Sequence, residues 1–361
     1  MTEVGGSFSS ILPKATAWLA GHWQALEPFA ATLATFFGAA LISFGWQYWR
    51  QRGRFTFFAF LAYCFPVDGW KSKSSRIDIV MYFAGKLIRG VLAVGDMIVL
   101  LALSGGVAWL LRDLFPHHVA WHAGFPAIVT CAVLLFLAGD FANFYTHYLQ
   151  HRIECLWELH KVHHSATFLS PLTTARMHPL GDKIDHLGAA IMVSLPAGVA
   201  VFLYGFDIPA LMLLLATANM IGTTLVLDAL RHSQFPVSFG ALDRVVMSPH
   251  MHQFHHSAKY EHWDHNMGNK LSLWDWMFGT AVIPAKDEPL TFGIGRGATY
   301  DAQYDTLWGV YGAPLIGMVK VLLGRQPKAL PTPQSLLEQG LTEPPPPEKA
   351  RRVQQTEEAG A

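Results

Sequence analysis

Five stretches of this chain are apolar and nearly free of charge for long enough to cross a bilayer as helices: residues 29–49, 90–111, 125–146, 187–204 and 208–230. About 20 apolar residues cover the roughly 30 Å hydrocarbon core of a membrane. A sixth run, FTFFAFLAYCFP, has only 12 residues and is expected to lie in the interface or re-enter. Composition agrees. The chain is 52% hydrophobic and only 14% charged, which is too little charge for a soluble protein of this length. The expected fold is therefore all-α, an integral-membrane helical bundle of four to five spans.

The first span ends at Arg50, Arg52 and Arg54, with Trp46, Tyr48 and Trp49 where an aromatic belt belongs. Residues 1–28 suit an amphipathic or flexible segment without the pattern of a cleaved leader. The basic stretch 71–89 and the two polar segments, 147–186 and 231–285, carry most of the Lys and Arg. Five spans put all of these on one side, expected to be the cytoplasm. The loop 112–124, with His117, His118 and His122, falls on the other side, and its histidines read as loop residues. Zero formal net charge argues against a nucleic-acid partner. The tail beyond about residue 325, with PTP and PPPP, reads as a disordered extension.

Histidines begin where the spans stop. HYLQHRIECLWELHKVHH occupies 147–164 and HMHQFHH occupies 250–256. Residues three and four apart share a helix face, so each cluster can aim two or three imidazoles at one point. His147 and His151 form one pair. His160, His163 and His164 repeat the HxxHH form of His252, His255 and His256. Eight imidazoles exceed what one four-coordinate zinc can use, so two metal ions are expected. Neutral imidazole suits Fe, Zn, Cu and Ni. His250 cannot share a helical face with His252 and is read as a non-ligand. Cys64, Cys131 and Cys155 form no CxxC pair, so thiolate ligation and an iron–sulfur cluster are not expected. The sequence has no HExxH, GxSxG, Walker A or GxGxxG motif. A histidine-rich metal transporter is the alternative, but its ligands should sit near mid-membrane.

HYLQH, HKVHHS, RMHP, LRHS, SPHMHQFHHS and HNMGNKLSLWDWMFGT together resemble the fatty acid hydroxylase and sterol desaturase superfamily of membrane di-iron enzymes. The resemblance covers roughly residues 130–285. It implies a catalytic domain at 125–285, preceded by N-terminal membrane helices at 29–124 and followed by a C-terminal extension at 286–361. It also implies a His-rich di-metal cap on the membrane bundle and an oxygen-dependent enzyme that hydroxylates or desaturates a C–H bond of a membrane lipid. Two iron ions would be the cofactors, with zinc able to replace them in purified protein. An external electron-transfer protein or reductase would supply electrons.

The ligands implied are His147, His151, His160, His163, His164, His252, His255 and His256, with His232 as a ninth. His178, in RMHP, matches a family position whose contact with metal is open. Relatives often carry a histidine where this chain has Asp228, so Asp228 is expected either to bind metal or to hold His232. Asp140 and Asn143, two turns and one turn before His147, are expected to hold the second nitrogens of metal-bound histidines. Trp274, Asp275, Phe278, Gly279 and Thr280 match a WDxxFGT ending with a packing role. Glu154 and Glu158 are expected to be solvated.

Overall fold

A computed structural model describes residues 37–38, 40–42, 44–45, 56–225, 228–285, 288–295 and 298–325. Residues 1–28, most of 29–49 and the Pro-rich tail lie outside the described residues. The chain divides into two compact units, residues 1–65 and 66–361. The first contains α1 (Phe57–Cys64), whose N-cap Thr56 accepts a hydrogen bond from the Ala59 amide at 3.1 Å. Eight residues are too few to span, as the short apolar run implied.

The second unit holds α2 (Val67–Lys71), α3 (Lys73–Leu114), α4 (Phe125–Arg152), α5 (Glu154–His164), α6 (Pro179–Tyr204), α7 (Ile208–Leu225) and α8 (Asp228–Arg231). It continues with α9 (Pro249–His255), α10 (Leu273–Phe278), α11 (Ala298–Asp301) and α12 (Ala313–Leu322). Among the described residues there is no strand beyond two isolated bridges. Three helices, α3, α4 and α6, are long and apolar enough to cross a membrane. The sequence suggested five spans. Residues 29–49 are largely outside the described residues, and α7 is apolar but shorter.

The largest departure from the sequence reading is α3. Its 42 residues join the basic stretch and the expected second span into one helix. At 1.5 Å per residue it is about 63 Å long, twice a hydrocarbon core. Its apolar second half belongs to the bundle, so its charged first half stands clear as a post. Ile77 and Met81 on that post are buried with Val162, Ile294, Tyr304 and Val310. Lower down, Leu100 packs with Leu135, Val193, Ala197, Leu211 and Leu214 from α4, α6 and α7. Small residues let these helices approach closely. A Cβ on Gly198 would stand 2.6 Å from the Ser104 carbonyl oxygen of α3. Asp96, the one charge inside the expected second span, pairs with Lys183 of α6.

At the far end of the bundle, the Trp121 amide donates to the Leu203 carbonyl at 2.8 Å and the His118 ring packs against Phe202. The loop histidines therefore sit at the opposite end of α4 from His147.

Arg176 ties the post to the cap. Its guanidinium is wholly buried and donates to Asp78 and the Ser74 carbonyl on α3, to the Val162 carbonyl and Ser165 after α5, and to the Tyr304 carbonyl. Asp78 also accepts from Thr173 at 2.7 Å. Hydrogen bonding thus extends past residue 285: Tyr304, Tyr311 and α12 all lie against the histidine-bearing segment.

Candidate metal centre

The histidines converge because α4 and α5 are separated by a single non-helical residue. Ile153 is extended (φ −103°, ψ 112°), ending α4 and turning α5 back. His147 and His151 at the end of α4 then face His160 and His164. α9 starts at a Ser-Pro signal. Ser248 accepts from the Met251 amide at 3.3 Å and Pro249 occupies the first turn.

Among the described residues, nine side chains form two groups. His147, His151, His160, His164 and His255 make one, and His163, His232, His252 and His256 make the other. Within each group, one possible ligand atom per residue lies within 4.8 Å of the rest. The sequence suggested that each HxxHH cluster aims at a single point. It does not: neighbours on a helix diverge by about 100°, so each cluster serves both groups. α5 sends His160 and His164 to the first and His163 to the second. α9 does the reverse, sending His252 and His256 to the second and His255 to the first. The groups meet where the His164 and His256 rings stack, with centroids 4.6 Å apart.

Nε2 atoms crowd within the groups. The separations are 3.2 Å for His160–His164, 3.0 Å for His163–His232, 2.9 Å for His232–His252 and 3.1 Å for His252–His256. Two nitrogens on one ion, each at about 2.1 Å, stand about 3.0 Å apart at right angles. The Nε2 atoms of His147, His151 and His255 are buried with no hydrogen-bond partner. Burial holds His160, His164, His232, His252, His255 and His256 well below the ordinary histidine range and His163 at about 3. Neutral imidazoles with converging lone pairs are the donor set that a borderline metal requires, so the residues present fit a two-metal centre.

Several second nitrogens are held from outside. His147 Nδ1 donates to the Met267 carbonyl at 2.7 Å, His255 Nδ1 to the His265 carbonyl at 2.7 Å, and His151 Nδ1 to the Asp264 carboxylate at 3.1 Å. His232 Nδ1 donates to the Thr174 hydroxyl at 3.0 Å. Asp264 and Asn266 adopt left-handed backbone (φ 58° and 53°), a conformation Asp and Asn tolerate better than most residues. Two such residues flanking His265 curl the segment 264–267 around the first group. Asp275 fixes its end, accepting from the Met267 and Gly268 amides at 2.7 and 2.8 Å and from Thr280. Burial raises Asp275 to about 6.

The expected supporting residues are placed differently. Asp140 holds no histidine. Buried beside the WDWMFGT segment, it accepts from the Lys270 and Leu271 amides and the Trp274 indole. Asn143 donates back to the Gly139 carbonyl of its own helix. His178 caps α6, accepting from the Leu180 amide through Nδ1 and donating from Nε2 to the Tyr311 carbonyl. Both its nitrogens are therefore engaged away from the two groups. His250 is buried but belongs to neither group. Glu158 is buried and ion-paired with Lys161 at 2.6 Å rather than solvated, because α12 covers it. Glu154 is exposed. The Asp228 side chain lies outside what the structure describes.

Two cavities lie along α4. One of about 180 Å³ reaches the first group and is lined by His151, His164, His255, Trp157, Trp263 and Asp264 among others. The other, about 170 Å³, lies among α4, α6 and α7. It runs between apolar walls including Leu135, Val193 and Leu215 to Asn143, one turn before His147.

Residues 132–280 match the family described as fatty acid hydroxylase. The chain is 28% identical over 178 residues to an ornithine lipid hydroxylase of Rhizobium tropici, covering 49% of each chain. It is 26% identical over 181 residues to an alkylglycerol monooxygenase of Danio rerio, covering 48% of this chain and 37% of the relative. It is 23% identical over 160 residues to the Homo sapiens alkylglycerol monooxygenase, covering 44% and 32%. The matches thus span half or less of those curated relatives. No solved structure matches. Both histidine groups fall inside residues 132–280, the segment that matches the fatty acid hydroxylase family.

Proposed function

We propose that the chain is a membrane-embedded, oxygen-dependent lipid hydroxylase that holds two iron ions among its nine clustered histidines. The observation that carries this reading is the division of nine imidazoles into two adjoining groups at the ends of apolar helices. The relatives' names, a lipid hydroxylase and monooxygenases, favour hydroxylation over desaturation.

His147, His151, His160, His164 and His255 would hold one ion, and His163, His232, His252 and His256 the other. An iron pair so bound would supply oxygen activation driven by electrons from an external donor. The chain's own residues do the rest. The cavity among α4, α6 and α7 takes an alkyl segment of the lipid and directs it toward the His147 end. Met267, His265 and Asp264 keep three imidazoles in one tautomer. The buried setting of both groups excludes bulk water. The histidine cap faces the cytoplasm, where reductant is available, as the basic residues beside it favour.

Lipid mass spectrometry on cells expressing the chain under isotopically heavy dioxygen tests the reading. A lipid carrying one added heavy oxygen atom is expected, and its loss in His164→Ala. An unchanged lipid profile from well-expressed, iron-loaded protein would overturn it.

A further inference from the structure

The two histidine groups differ in what stands behind them. In the first, three of five imidazoles donate from Nδ1 to an acceptor, and one of these is a carboxylate. Such a bond fixes the ring and makes its other nitrogen a stronger donor to metal. A carboxylate does so more than a carbonyl, because it accepts the charge-assisted bond as the ring gives up electron density. Asp264 is itself steadied by Arg152, 3.7 Å away.

In the second group no imidazole donates to a carboxylate: His232 bonds a neutral hydroxyl, and His163 faces the Arg176 main chain. The Nδ1 atom of His252 is buried with no hydrogen-bond partner. This group also has one imidazole fewer. A cation lies nearby: the buried Arg231 immediately precedes His232 in sequence and donates to the Asn269 carbonyl at 2.5 Å. A neighbouring cation opposes a bound metal cation just as it opposes a proton.

Resting on the two-ion reading above, we propose that the two positions are unequal. The five-histidine position, braced by residues 264–267, is the tight, retained site, and the four-histidine position beside Arg231 is the labile one. Asp264 is then a positioning residue for the first site alone and Thr174 for the second alone. A preparation short of metal is expected to hold a single ion, at the first position.

Graded chelation of the purified, full-length, iron-loaded protein in detergent tests this by metal content rather than turnover. Iron should leave in two phases of equal amplitude, one ion per chain each. Asp264→Asn should speed the slow phase about 10–100-fold and leave the fast one unchanged. Thr174→Val should speed only the fast phase. Two ions lost in one phase from the unaltered protein would overturn the inequality while leaving the two-ion reading intact. A fully loaded protein that binds only one ion would overturn both. If Asp264→Asn accelerates both phases equally, Asp264 serves the fold and not one site. The unaltered protein's release curve decides the main point even if a variant fails to fold.

Discussion

Trp274 Nε1 donates to Asp140 Oδ2 at 2.8 Å, tying α10 to a helix 134 residues earlier in the chain. The same carboxylate accepts from the Lys270 and Leu271 amides at 2.8 and 3.1 Å. One buried anion thus holds the start of the segment that follows Met267, whose carbonyl orients His147.

Asp140→Ala is therefore expected to leave three donors unpaired, one buried and two part-buried, with a cost of about 1–3 kcal/mol for the buried one and less for the others. The loss should appear as a lower unfolding temperature in detergent and as reduced metal retention. Asp140→Asn should fall between, since its amide still offers one acceptor. An Asp140→Ala protein with unchanged unfolding temperature would show that the contact contributes nothing.

Arg176 makes a second prediction about the post. Removing one partner of a buried ion pair costs about 3–5 kcal/mol, because the other charge is left uncompensated. Arg176→Met should destabilise by that order, since Asp78 is wholly buried too. Combining it with Asp78→Asn should recover part of the loss. Chemical denaturation of all three variants checks this, and simple additivity would contradict it.

Much of the centre was legible in the sequence because imidazoles at helical spacing announce themselves. Nothing in that spacing showed that HxxHH divides between two points, because that depends on how α5 and α9 face each other. The bracing of His147 and His255 was invisible for another reason: their acceptors are main-chain carbonyls, and any residue can supply one. Only the left-handed pair Asp264 and Asn266 carried a hint, as residue types that tolerate such a backbone. Asp140 stands out in the sequence for its cost near a membrane, but its partners are an indole and amides distant in sequence. The post is not legible in the sequence because Lys73, Arg76, Lys86 and Arg89 look like a break in a span, although charge does not interrupt a helix that has left the bilayer.

Metal-depleted protein should lose stability as pH falls. Seven of the clustered histidines, all outside the spans, have folded-state values below the ordinary 6.5, chiefly through burial. Their contribution is complete above about pH 6.5. It declines below that, as the unfolded chain takes up protons the folded one refuses. Each such group contributes a slope of up to about 1.4 kcal/mol per pH unit. Asp275 and Asp301, both raised to about 6 by burial, act oppositely below pH 6, but they are outnumbered. Unfolding temperatures of chelator-treated protein from pH 8 to pH 5 should fall steadily, and bound metal should protect by excluding protons from the same nitrogens. A flat profile would contradict the assignment.

Topology can be read chemically. Val119, 80% exposed in the loop between α3 and α4, and Glu154, exposed at the start of α5, lie at opposite ends of α4. In a background with Cys64, Cys131 and Cys155 replaced, Val119→Cys should react with an impermeant thiol reagent in intact cells. Glu154→Cys should react only after lysis. Labelling of both from outside would place the histidines away from the cytoplasm.

The cavity among α4, α6 and α7 gives the sharpest test of substrate access. Gly222 of α7 lines it, and a Cβ there would stand 2.8 Å from the Phe136 ring and 3.4 Å from Lys270 Cγ. Alanine requires only that the ring shift, whereas leucine would fill much of the roughly 170 Å³. The histidines gain no new neighbour from either change, so iron content should stay at the unaltered level. Gly222→Leu is expected to lower kcat/KM at least about tenfold, equivalent to about 1.4 kcal/mol of lost transition-state binding. The loss should be greatest for lipids with the bulkiest alkyl segment, and Gly222→Ala should show a smaller shift in the same direction. Gly106→Leu is the control, because Gly106 faces open space on α3. If Gly222→Leu turns over every lipid as the unaltered protein does, the alkyl chain reaches the histidines by another route.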